Sequence, residues 1–152
     1  MRLSIWLFLV TFALVFYNLG ASFIESFVNY PTWRLIGTNE FRAYHQAVGP
    51  LYIIYAVAPG VLATVLTLLL LYFRPAAIPI WAILLAIGLQ LIMWVSSVSI
   101  QIPIQMRLDK EGLSLPLINR LIVTNFWLRR VPSSVNAILF FWMSSLLVRP
   151  QT

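Results

Sequence analysis

The chain has 152 residues, 61% of them hydrophobic and only 9% charged, with a mean hydropathy of +0.91. A soluble domain carries about 25% charged residues, so this chain lacks the polar surface to cover itself in water. The net charge of +6 does not point to nucleic acid. The basic residues sit beside apolar stretches, where contact with anionic lipid headgroups accounts for them. With no cysteine, disulfides and thiolate metal sites are excluded.

Asp, Glu, Lys and Arg are missing from four windows, residues 3–24, 43–73, 75–106 and 131–148. A helix needs roughly 20 apolar residues to cross a hydrocarbon core, and only helices or closed barrels satisfy their backbone there. The windows are Leu-rich and do not alternate, which speaks against a barrel. The expected fold is all-α: an integral membrane four-helix bundle with an extra short interfacial helix between helices three and four. It forms one transmembrane domain over residues 1–152, with spans near 3–25, 49–73, 79–102 and 133–148.

In chain order, the first segment begins like a signal peptide and has a small-residue stretch at Leu19–Ser22, but its polar pattern favours retention. Tyr30 and Pro31 open an irregular turn. Thr38 is an N-cap candidate, with Glu40 in the following first turn. Helix two, 39–73, is too long for a bilayer, so its first turns, with Arg42 and His45, stand outside the core. Pro50 and Pro59 kink it. After a tight turn at 73–79, helix three runs to about Arg107, bent at its end by Pro103. Ser114 and Pro116 open the short helix, which either lies in the interface plane or runs on through Pro132. Ser133 and Ser134 are cap candidates for helix four. Four spans put the termini and Arg74 on one side, with Arg2 and Arg149. The opposite side holds seven basic residues and all four acids. The basic count puts the long loops in the cytoplasm, whereas Arg2 ahead of helix one argues the reverse. Orientation stays open.

Polar side chains in spans need partners and often mark function. Thr11, Asn18, Ser22 and Glu25 fall within roughly a 60° arc of helix one. Gln90, Ser97, Gln101 and Gln105 fall within roughly an 80° arc of helix three. Tyr52 shares a face with His45, the only histidine, and Asn125 and Arg129 share one on the segment before helix four. The expectation is a site at the loop-rich end, with Glu25 and His45 as proton-exchanging catalytic groups and Tyr52, Gln101, Gln105, Asn125 and Arg129 as substrate-binding groups. His45 would lie over the mouth, with Glu25 and Gln101 as the floor. Asn18 and Gln90 read as interhelical glue. Trp6, Trp33, Trp81, Trp127 and Trp142 read as interfacial belts. One histidine and no cysteine argue against a zinc or two-histidine iron site, and no metal or other cofactor is expected.

The stretches 30–45 ("YPTW…FRAYH") and 101–130 ("QIPIQMRLDKEG…LINRLIVTNFWLRR") resemble small uncharacterised bacterial four-helix membrane proteins. More distantly, size and layout are similar to the anthrone-oxygenase-like membrane proteins, whose cofactor-free oxidation of a polycyclic phenol is what that likeness implies. No functional residue is carried over from either. The resemblance implies a bacterial inner (plasma) membrane. The functional expectation is a polar site that binds or transforms a lipophilic amphiphile such as a quinone, phenol or lipid. The alternative is an accessory or assembly subunit of a larger membrane complex. Membrane lipids, a lipophilic small molecule and membrane protein partners are the expected contacts; nucleic acid is not.

Overall fold

The computed structural model describes residues 2–148, and Arg149 of the charge count lies outside them. Four helices are long and apolar enough to cross a membrane: α1 (Leu3–Leu35), α2 (Thr38–Phe73), α3 (Ile80–Glu111) and α4 (Leu115–Val148). No strand occurs among the described residues. The helices pack as an up-down-up-down ring in which each touches the two beside it, the arrangement short connections favour. Gly112, at φ +84°, ends α3 in a conformation that disfavours other residues. At the first connection Gly37, not Thr38, occupies the N-cap position of α2; Glu40 lies in its first turn as expected.

The short helix between helices three and four is not a separate element. It continues through Pro132 into α4 as one rod. Ser133 and Ser134 therefore lie inside a helix rather than at a cap.

The rod stays continuous because its turn widens before the proline, and the same device recurs in every helix. Among the described residues, π-helical turns occur at Glu25–Asn29, Ile53–Val57, Ser97–Gln101 and Phe126–Arg130. Each is followed two positions later by a proline: Pro31, Pro59, Pro103 and Pro132. A helical proline lacks an N–H, and its ring collides with the carbonyl four residues back. Those carbonyls belong to Phe27, Tyr55, Ser99 and Leu128, the middle residue of each wide turn. Widening carries the carbonyl off the ring and leaves it without its usual donor. Neighbouring helices bring donors to two of them: the Tyr17 hydroxyl donates to Tyr55 O at 2.7 Å, and Ser96 Oγ shares the proton it gives Met93 O at 2.9 Å with Leu128 O at 3.3 Å. Such re-satisfaction is what a low-dielectric surrounding demands. All four turns lie roughly 20 residues, about 30 Å, from the helix ends near the termini.

Two buried clusters flank this level. Toward the termini, Phe8, Leu70, Ile83, Phe140 and Met143 pack with Ala82, Ala86 and Ala137, and the small residues let helices approach closely. Toward the loops, Tyr30, Trp33, Phe41, Ile104, Leu108 and Leu121 form the second cluster. Trp33 is thus a core residue rather than part of an interfacial belt. Trp6, Trp81 and Trp127 are exposed.

Candidate functional site

Between the two clusters lies a cavity of about 800 Å³. Glu25, His45, Tyr52, Gln101, Gln105 and Arg129 of the expected set line it. Asn125 does not. It is buried, and its amide donates to Ser26 Oγ of α1, so it is a packing contact between α4 and α1. The floor also differs from expectation. Glu25 and Gln101 form part of the wall, and the cavity runs deeper, to Val15, Asn18, Thr64, Gln90 and Asn136. The wide turns spread the helices at one level, and the room extends below it.

The lining residues that are exposed, Gln46, Pro50, Ile53, Ile102 and Met106, all belong to α2 and α3. Every lining residue of α1 and α4 is buried or half-buried. The cavity therefore opens between α2 and α3, through a largely apolar rim.

His45 is held from all sides. Trp33 meets its ring edge-on at 4.9 Å, and Phe41 stacks on it at 5.5 Å. Its Nδ1 lies 2.6 Å from Asp109 Oδ1 and its Nε2 2.6 Å from Gln105 Oε1. The Gln105 amide in turn reaches the Tyr30 hydroxyl at 3.4 Å, and Tyr30 interacts with Glu25. A polar chain thus runs from half-exposed Asp109 through His45, Gln105 and Tyr30 to buried Glu25. Each member carries a proton donor or acceptor.

Glu25 accepts from Asn29 Nδ2 at 2.6 Å. Arg129 donates to the Tyr52 hydroxyl at 3.0 Å and lies within electrostatic range of Glu25. These two charges do not touch. Among the described residues, the ion pairs are His45–Asp109 and Arg107–Glu111. Neighbouring Arg130 faces elsewhere: it donates to Ser22 O and lies 3.9 Å over the Phe23 ring, clasping α1.

Tyr30, Trp33, Asp109, Ser133 and Asn136 also line the cavity and were not among the expected site residues. Asn136 lies seven residues beyond Arg129, so helical phase could have found it. Asp109 gave no signal, because its role depends on how the α3 end meets α2. Among the described residues, no group of three His, Cys, Asp or Glu side chains could hold a metal ion. No family model, curated protein or solved structure matches the chain.

Proposed function

We propose that the chain is an integral protein of a bacterial inner membrane that binds or transforms a lipophilic amphiphile, a quinone, phenol or lipid-like molecule. The molecule enters between α2 and α3 and lays its polar head between Glu25 and Arg129. The observation that carries this reading is that pair of opposite charges, facing one cavity without touching. A buried carboxylate and guanidinium gain most by direct contact. Standing apart, they suit a head that donates to one and accepts from the other, as a hydroxyl does. Arg129 and Tyr52 would steady charge developing on the head oxygen. Glu25 would take its proton and hand it to cavity water, which would carry it past Tyr30, Gln105 and His45 toward Asp109 and the surface.

The test is purification in mild detergent followed by mass spectrometry of the extracted small molecules. A lipophile retained at near-equal molar amount by the wild type, and lost from Glu25→Gln and Arg129→Gln variants that still fold, supports the reading. A large protein partner that copurifies with no small molecule would favour an accessory subunit and overturn it.

A further inference from the structure

Below the charged level, the cavity carries a second set of polar groups that the proposed head-binding does not use. Gln90 and Asn136 are each more than nine-tenths buried and line the cavity. Gln90 Oε1 and Asn136 Oδ1 have no hydrogen-bond partner in the protein, and neither does Ser133 Oγ beside them on α4. The orientation of the Gln90 amide is fixed by its surroundings. Its Nε2 lies 3.0 Å from Thr67 Oγ1, and that hydroxyl spends its own proton on Ala63 O at 2.7 Å. Thr67 can therefore only accept, the amide nitrogen must face it, and the carbonyl oxygen must face away.

Packing glue would not be built this way. An interhelical amide gains by bonding both its ends, and an unsatisfied acceptor in an apolar surrounding is costly. Nearby Trp94 shows the satisfied case, donating to Thr64 Oγ1 at 2.9 Å. The two orphaned amide oxygens can only accept, so the group complementary to them is a donor.

Resting on the proposed binding of an amphiphile, we infer that the cavity has an inner subsite, formed by Gln90 and Asn136, for a hydroxyl or N–H group on the far part of the same molecule. Seven residues separate Glu25 from Asn18 and Arg129 from Asn136, and eleven separate Gln101 from Gln90. At 1.5 Å per residue the inner level lies about 10–16 Å below the outer one. The ligand class is thus an elongated, mainly apolar molecule with a polar head and a hydrogen-bond donor about that far away. A simple chain with an unsubstituted tail would leave both inner acceptors bare. A site built to bond a hydroxyl discriminates strongly against the analogue without it.

The test compares two neutral probes on detergent-solubilised full-length protein: dodecanol, and the same chain with a second, terminal hydroxyl. Affinities are measured by displacement of a fluorescent lipid or by thermal shift. The quantity read is the ratio of the two affinities, compared between wild type and variant, which cancels each probe's partition into micelles. The ratio should favour the diol about tenfold more in the wild type than in Gln90→Met. Asn136→Leu serves as a second variant should Gln90→Met fail to fold. A ratio unchanged by both substitutions overturns the inner subsite while leaving the outer one standing. Binding of neither probe overturns the subsite together with the proposed function.

Discussion

The half of the bundle toward the chain termini and the half toward the loops are built from the same four rods, yet only the second opens. In the terminal half the described helices are regular α, and their prolines, Pro75 and Pro79, lie in the turn between α2 and α3. Phe8 stacks on Phe140 at 5.8 Å, and alanines draw the helices together. Where the two halves meet, each rod carries a wide turn and, just after it, a proline. The contrast teaches that an apolar bundle closes by default. Room for a polar site here follows from widening all four helices at one level.

The largest effect should come from breaking the closed half. Phe140 is fully buried, and Phe140→Ala removes a ring that its neighbours cannot replace. The expected loss is about 3–5 kcal/mol, read as a lowered unfolding midpoint in detergent. Below that midpoint the retained lipophile should be unchanged, since Phe140 is not among the cavity-lining residues.

Pro59→Ala sharpens the comparison from the other side. It restores the missing N–H and removes the ring that forces the Ile53–Val57 turn open. Proline in a helix interior costs about 3 kcal/mol relative to alanine, so stability should hold or rise. A turn that reverts to α drops one residue from the wide turn and rotates Tyr52 by about 100° relative to the rest of α2, away from Arg129. Ligand retention should therefore fall while the midpoint does not. A fall in both together would mean that the wide turn serves only packing.

The sequence made the rods and the general location of the site legible, because charge-free length and helical phase are properties of one helix at a time. Glu25, His45, Gln101 and Arg129 were placed by phase, and they do share a cavity. What stayed hidden depended on two helices at once. Asn125 has the right phase, but α1 approaches it closely enough for Ser26 to absorb its amide. Trp33 looked like a belt residue, yet the last turn of α1 packs it edge-on against His45. Pro59 and Pro103 were visible as kinks. That the wide turns before them, and before Pro31 and Pro132, stand at one level shows only when the antiparallel order is drawn and the residues counted back from each end.

A smaller effect on stability, and a larger one on function, belongs to His45. Its ring fills space beside Trp33 and Phe41, so His45→Phe keeps most of the packing while breaking the path from Glu25 to Asp109. Leaving Gln105 Oε1 without its partner should cost about 1–3 kcal/mol of stability, less than Phe140→Ala. If the molecule is transformed in the site, turnover should fall by about 10²-fold or more, the size of a lost general acid–base contribution. If it is only bound, retention should stay close to that of the wild type.

The smallest effect is expected at the loop face itself, and it defines where the site stops. Arg107 and Glu111 form the other ion pair among the described residues, at 2.8 Å and one helical turn apart. Both side chains are about half exposed, and neither lines the cavity. Water screens such a pair and the side chains lose freedom in holding it, so its net contribution is small. Glu111→Gln should leave the unfolding midpoint and the retained lipophile as in the wild type. Asp109→Asn, only two residues away, keeps the side-chain shape but removes the charge that holds His45 Nδ1 at 2.6 Å, and should lower the midpoint. Measuring the two side by side separates the general acidity of this loop from the one carboxylate that meets the histidine. Equal effects from both would place the contribution in the field of the surface rather than in the contact with His45.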